Sequence, residues 1–482
     1  MNQILPQFQK FMADRKLAIK NQIPFYAGWA SKFIRFSNAR QSTPTDLKIQ
    51  YCLKTGMQDK IRGKKQGTLR LMKVKKHVRM SSLLMNYFNY DGCHTEGVMI
   101  RKIFCLCIFI LLAASSFAVA ADTIKIGLMA PMTGSWQNAG REMKLAVDLL
   151  TADYNRGGGL LGKRMEIVVA DDGGTPAGAV QAAQALVKQS VIAVIGSVTS
   201  PATEASQEIF NKARVLQISN GSTAVGLTEK NLKYFFRTCP RDDDQSRVII
   251  QTIRKMKLGK LAILYDDTTS YALGLARDVG KNVKQSNIET VFYGSLAPGR
   301  ASYMDVLEKI KARNPDVLFY AGYYTETAAL LRQKKEMNWN VVFIGGDGAN
   351  NPNLLQAAGE KAAEGFYFVS PPLPKELTTE SAKKFLAEFE KKTGSPPRMM
   401  DSIFSGDALR VIVNAVRETK STDADVIADY LHNRFVDDSG LTGRINFNAK
   451  GDRVNDLYGV YRVDAEGRFI IQRMFQFGRI VK

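Results

Sequence analysis

From Thr123 onward the chain alternates between short apolar runs and longer stretches of helical period, twice in succession. "TIKIGLMA" reads as a strand, and "REMKLAVDLLTADYN" as a helix with Met143, Val147, Leu150 and Tyr154 on one face. "GGGLLG" turns the chain into the strand "RMEIVVADD". The helix "AGAVQAAQALVKQ", the strand "VIAVIGSV", the helix "SPATEASQEIFNKA" and the strand "VLQIS" follow. After "FRTCPRDDDQS" the pattern restarts with "KLAILYDD" (strand), "YALGLARDVGKNVKQ" (helix), "TVFYGSL" (strand) and "SYMDVLEKIKAR" (helix). It continues through "DVLFYAGY" (strand), "ETAALLRQKKEM" (helix) and "VVFIGGDG" (strand). Strands this apolar, separated by helices, belong to parallel sheets covered on both faces. The expected fold class is therefore α/β, with two doubly wound parallel-sheet lobes facing each other across a cleft. A long helix, "MMDSIFSGDALRVIVNAVRET", and a hairpin turning at Ala465-Glu466-Gly467 complete the body.

The charge of the chain has to be divided before it can be interpreted. The formal net charge is +21, but residues 1–102 hold 20 Lys+Arg against 5 Asp+Glu, leaving 47 against 41 for the rest. Basicity therefore belongs mainly to the leader and gives the body no nucleic-acid signature. Cys52 and Cys93 lie upstream and Cys105 and Cys107 in an apolar stretch, so Cys239 alone is left in the body. His432 is the single histidine after residue 120. Zinc chemistry and histidine-based catalysis have little to work with, and no Ser/His/Asp set can be assembled. "RGGGLLG" follows a helix rather than a strand and no phosphate-binding loop motif is present. No cofactor and no metal are expected.

Ahead of the body, Arg101-Lys102 precede the apolar core "IFCLCIFILL" (residues 103–112) and then "AASSFAVAAD". Basic residues, an apolar run too short to span a bilayer, and small residues at Ala118 and Ala120 are the pattern of a cleaved export signal. The signal is placed at residues 99–120, with cleavage between Ala120 and Ala121; an uncleaved membrane anchor is the competing reading. Residues 1–98 show no sustained helical or strand period. They are read as an extension upstream of a true start at Met99, in preference to a basic nucleic-acid-binding arm.

In doubly wound sheets ligands bind beyond the carboxyl ends of strands. This directs attention to "PMTGSWQNAG", "GSVTSPAT", "SNGSTAVG", "DDTTSYALG", "AGYYTET" and "GGDGANN". Ser200 and Pro201 open a helical pattern, where free N–H groups and the helix dipole suit a carboxylate; a plain capping role for Ser200 is equally compatible. Gly221 allows close approach of backbone to a ligand, with Ser222 and Thr223 adding hydroxyls. Asp347, flanked by glycines after a strand, could meet an ammonium group or stabilise a turn. Of Tyr320, Tyr323 and Tyr324, at least one is expected in the core and another at the cleft.

Taken in order, "IKIGLMAPMTGSWQNAGREMKLAVDLL", "VIGSVTSPAT", "RTCPRDDDQS", "GLARDV", "DVLFYAGYYTETAALLRQ" and "FIGGDGANNPNL" resemble the branched-chain amino-acid-binding proteins of bacterial ABC importers, of the type I periplasmic binding protein class. The likeness runs from about Ile124 to the C-terminal hairpin. It implies lobes joined by a three-strand hinge that close on a ligand, with crossings near Thr238–Asp242, Val369–Pro372 and Asn455–Gly459. Lobe 1 would comprise residues 121–240 and 371–456, and lobe 2 residues 241–370 and 457–482. The resemblance assigns Ser200 to the ligand α-carboxylate, Gly221 to a backbone contact and Thr223 to the head group. Tyr271 and Tyr323 become cleft tyrosines, and Asp347 the acid facing the α-ammonium group.

The likeness also has departures. Asp347 stands where the leucine/isoleucine/valine binders carry Glu. Gly174 and Thr199 occupy positions of a disulfide in enteric members, and Ala139 that of a cleft aromatic, for which nearby Trp136 would compensate. The implied function is a monomeric, non-enzymatic periplasmic receptor. It would capture a small amino acid, branched-chain or aliphatic, and deliver it to an inner-membrane ABC permease, with no nucleic-acid partner. Rival readings are a repressor-like regulator or tethered sensor on the same fold, or a binder of short amides, urea or aromatic acids.

Overall fold

In the first half of the body, helices follow the first three strands and return the chain along the sheet, which forces parallel pairing. Strands β1 (Thr123–Ala130), β2 (Arg164–Asp171), β3 (Ala193–Ile195), β4 (Leu216–Ser219) and β5 (Phe235–Arg237) form a parallel sheet in the order β2-β1-β3-β4-β5. Helices α1 (Gln137–Arg156), α2 (Pro176–Lys188), α3 (Ser200–Lys212) and α4 (Gly226–Glu229) connect them. The computed structural model describes residues 123–454 and 457–476. These lie in one compact unit, Ala118–Lys482. The basic segment 1–98, the export signal 99–120 and the Ala120–Ala121 junction lie outside the described residues.

Side chains alternate across this sheet with the two-residue period of a strand. Ile126, Leu128, Ile195 and Ile218 pack with Met143 and Val147 of α1 on one face. Met129 and Val194 pack with Leu186 of α2 and Phe210 of α3 on the other.

The second lobe begins with α5 (Asp242–Lys255), β6 (Lys260–Asp266), α6 (Ser270–Val283), β7 (Glu289–Leu296) and α7 (Met304–Lys311). It continues through β8 (Val317–Ala321), α8 (Tyr324–Glu336), β9 (Val342–Gly345), the short α9 (Asn353–Ala358) and α10 (Glu360–Ala363), and β10 (Tyr367–Ser370). After α11 (Glu380–Thr393), α12 (Met400–Thr419), α13 (Ala424–Asn433) and the small ladder β11 (Val436–Gly440) with β12 (Gly443–Asn446), the hairpin β13 (Leu457–Val463) and β14 (Phe469–Gln476) returns to the second sheet. That sheet runs β14-β13-β10-β9-β8-β6-β7, parallel except where β13 pairs with β10 and β14. It too is covered on both faces: Leu264, Tyr320 and Phe343 face α7 and α8, while Ile263, Phe319 and Ile344 face α5 and α6.

The chain passes between the lobes three times: from β5 to α5, from β10 to α11, and between Arg453 and β13. Among the described residues the α/β, two-lobe, doubly wound class expected from the alternation is what forms, with an antiparallel hairpin added to the edge of the second sheet.

Three local readings change. "FRTCPRDDDQS", read as a break, supplies the last residues of β5 and the start of α5. "VIAVIGSV", read as a strand, pairs only over Ala193–Ile195. Gly196 takes φ +125° with its backbone against the Met129 carbonyl, so close that a Cβ there would come within 1.9 Å of that oxygen. The ladder stops, and the chain is freed to turn into the loop that carries Ser200. "VVFIGGDG" likewise pairs only to Gly345, because Asp347–Ala349 wind into a 3-10 turn.

Candidate ligand-binding cleft

The first sheet has its switch point between β1 and β3. The second repeats that internal order, β7-β6-β8-β9-β10, with its own switch point between β6 and β8. Loops leaving β1, β3 and β4 in one lobe, and β6, β8 and β9 in the other, converge on one cleft of about 580 Å³. All seven residues singled out from the sequence line it: Trp136, Ser200, Gly221, Thr223, Tyr271, Tyr323 and Asp347.

On the first lobe, Ser200 is the first residue of α3, with Thr199 at the N-cap position and making no side-chain cap bond. The capping role is thus absent for Ser200. Its Oγ instead accepts from the Ala224 N–H at 3.2 Å, which ties the loops after β3 and β4 together. The positive end of α3 opens onto the cleft beside that hydroxyl, the arrangement that receives a carboxylate. Gly221 is required by crowding: an added Cβ would lie 2.9 Å from the Val198 backbone and 2.5 Å from Asp401 Oδ1.

The Thr223 loop is held from behind by Arg237, which is fully buried. Its guanidinium donates to the carbonyls of Ser222 (3.2 Å) and Ala224 (3.0 Å), to Thr228 Oγ1 (2.6 Å) and to Asp452 Oδ1 (2.7 Å). Arg241 reaches the other oxygen of Asp452 at 2.7 Å. Burial pushes the Asp452 carboxyl up, but the charges of Arg237 and Arg241 outweigh it and leave it below the ordinary value.

On the second lobe, Tyr271 and Tyr323 stack at 5.3 Å, and the Tyr271 hydroxyl accepts from the Gly348 N–H at 2.9 Å. Tyr320 is buried in the core, and Tyr324 packs against Trp136 and donates to the Ser135 carbonyl at 3.1 Å across the cleft. Trp136 packs against the cores of both lobes.

The cleft is unusual for the polar atoms it leaves without partners. Among its lining residues, Asp347 Oδ1, Asn220 Oδ1 and the Tyr323 hydroxyl are buried with no hydrogen-bond partner. Buried polar groups are normally satisfied, so these three atoms are open to partners supplied by a ligand or by water. Burial raises the Asp347 carboxyl, opposed by Gln245 and Tyr271. Burial also pushes Asp242 well up, and the Asp347 charge adds to it. Asp401 is pushed up to about 7 by burial. Cation-accepting oxygens on one side and an open helix N-terminus on the other suit a small zwitterion.

A family model described as periplasmic binding protein matches residues 123–468. The chain belongs to the periplasmic binding protein family. Among curated periplasmic binding proteins it is similar to the leucine-, isoleucine-, valine-, threonine-, and alanine-binding protein of Pseudomonas aeruginosa. The identity is 29% over 348 residues, 72% of this chain and 91% of that protein. It is 30% identical over 359 residues to the Leu/Ile/Val-binding protein of Escherichia coli, 74% of this chain and 95% of that one. Its fold is similar to the solved branched-chain amino acid transporter substrate binding protein of Streptococcus pneumoniae in complex with isoleucine. There the TM-score is 0.67 and the identity 27%, covering 74% of this chain and all of that one.

Two departures noted from the sequence have structural counterparts in this periplasmic binding protein. Thr199 Oγ1 donates to the Gly174 carbonyl at 3.0 Å, so a hydrogen bond joins those two positions. Ala139 is buried in the first-lobe core and does not line the cleft, whereas Trp136 does. Sequence reasoning missed Asn220 and Asp401. Asn220 sits inside an inspected loop beside a glycine that drew the attention. Asp401 comes from the first turn of α12, where no strand-to-loop signal exists.

Proposed function

We propose that this periplasmic binding protein is a receptor that captures a small α-amino acid between its lobes and delivers it to an inner-membrane ABC permease. It acts without chemistry, as a monomer in the periplasm. The ligand class to which the named relatives point is branched-chain or small aliphatic. One observation carries the reading: Ser200 at the opening of α3 and Asp347 after β9 come from different lobes and line the same enclosed cleft. The first suits the α-carboxylate and the second the α-ammonium group, with Thr223 and the Gly221 backbone holding the head group and the three aromatic rings forming the wall. Closure removes the zwitterion from water, so affinity resides chiefly in these charge-assisted contacts.

Thermal melts of the full-length chain against L-amino acids and short amides test the proposal. A true ligand at about 1,000 times its Kd adds about 4 kcal/mol, which raises Tm by several degrees for a chain of this size. A cooperative melt that no amino acid shifts would sink the reading. The mass of the protein recovered from cells tests the export step, which requires a chain beginning at Ala121.

A further inference from the structure

The cleft holds more acid than an aliphatic zwitterion can use. Such a ligand presents one ammonium group, for which Asp347 suffices. Yet Asp401 lines the same cleft, and among the described lining residues there is no Lys, Arg or His. An aliphatic side chain would offer that second carboxylate no partner, and covering an unpaired carboxylate is costly.

Asp401 is anchored through its backbone carbonyl, and the residue lines the cleft. Its carbonyl accepts from Asn220 Nδ2 at 3.1 Å and from Ser405 Oγ at 2.7 Å. Its Oδ1 lies against Gly221, in space that any larger residue there would fill. Spending Nδ2 on Asp401 fixes the Asn220 amide so that its buried, unpartnered Oδ1 is presented as an acceptor. With Asp347 Oδ1 also buried and unpartnered, the free groups are mostly acceptors. The complement is a ligand richer in donors than the α-ammonium group alone supplies.

We propose that Asp401 is a specificity-determining residue: it receives a hydrogen-bond donor borne on the side chain of the bound amino acid. A short side chain ending in an ammonium or hydroxyl group is therefore preferred to its aliphatic isostere. The proposal rests on the amino-acid-receptor reading above and moves the preferred side chain away from the purely aliphatic. Burial raises the Asp401 carboxyl to about 7, so a donor or cation placed beside it would favour the ionised form. Sites built to bond a ligand donor discriminate strongly against the analogue that lacks it.

Calorimetry on the full-length chain at pH 7.5 with two isosteric pairs tests this: L-2,4-diaminobutyrate against L-norvaline, and L-threonine against L-valine. The donor-bearing member of at least one pair is expected to bind tenfold tighter or more, with Asp401→Asn reducing that ratio and Asp401→Leu reversing it. A melt of each variant identifies any that fails to fold, in which case the wild-type pairs and the remaining variant decide. Binding of both pairs with no donor preference, or a preference that Asp401→Asn leaves unchanged, overturns the role of Asp401 and leaves the receptor reading standing. If no amino acid binds at all, both readings fall together.

Discussion

Trp136 meets Tyr323 edge to face, with ring centroids 5.4 Å apart and planes at 77°, so a residue after β1 is locked against one after β8. Tyr323 in turn stacks on Tyr271, making a wall of three rings that spans both lobes. Edge-to-face pairs add about 0.5–1.5 kcal/mol beyond the area they bury. Trp136→Ala should therefore weaken ligand binding by roughly tenfold, read by calorimetry. In Trp136→Phe the ligand-induced change in tryptophan fluorescence should largely vanish.

Arg237 should matter more to stability than any residue that lines the cleft. Leaving a buried charge wholly uncompensated costs about 3–5 kcal/mol; Arg241 stays on Asp452, so the loss here should be part of that. Arg237→Met strips one of the two guanidinium partners from Asp452, each at 2.7 Å, and releases the Ser222 and Ala224 carbonyls. The urea midpoint should fall accordingly, and ligand affinity should fall with it because the Thr223 loop loses its backing.

Ser200→Ala and Asp347→Ala should each weaken binding by about 1 kcal/mol or more, the range for hydrogen bonds to charged groups. Their effects on the ligand-free protein should differ. Ser200→Ala removes the acceptor for the Ala224 N–H and should lower Tm. Asp347→Ala removes a buried, under-satisfied carboxyl and should leave Tm unchanged or raise it. Equal losses of Tm in both would contradict the view that Asp347 is kept for a ligand at the expense of stability.

The raised acids in and around the cleft should make the stability of the ligand-free protein depend on pH in a definite direction. Asp242, Asp347 and Asp401 all have carboxyls raised by burial, Asp401 to about 7. Between the ordinary value of 3.8 and about 7, the folded chain holds protons that the unfolded chain has released. Stability contributed by Asp401 is therefore full at low pH and is lost as pH rises through that window. Asp452, lowered by its arginines, acts in the opposite sense, but only at pH values below the ordinary carboxyl range. Tm of the ligand-free protein should be higher at pH 5.5 than at 7.5, and Asp401→Asn should shrink the difference.

Much of this architecture was legible because apolar runs and helical periods alternate cleanly, and because turn and cap residues punctuate them. Loop positions following strands were legible for the same reason and pointed to Ser200, Gly221, Thr223, Tyr323 and Asp347, while Trp136 and Tyr271 were singled out only through the family resemblance. Strand ends were less so: the stop at Ile195 depends on a backbone contact between Gly196 and Met129, residues far apart in the chain. Asp401 was hidden by its setting. It reads as an ordinary acid in the first turn of a helix, where the dipole alone would justify it. Only the fold, which brings α12 up against Gly221, turns it toward a cavity.

The repeated strand order has a mechanical consequence. Each lobe offers three loops from equivalent strands, so each carries half of a recognition surface, and neither half encloses anything alone. On the receptor reading proposed above, occupancy is thereby converted into a change of shape: the liganded molecule is the one whose halves have met. Release needs no reaction and no competing solute. Any partner able to grip both lobes and draw them apart dismantles the site and frees its contents in a single movement.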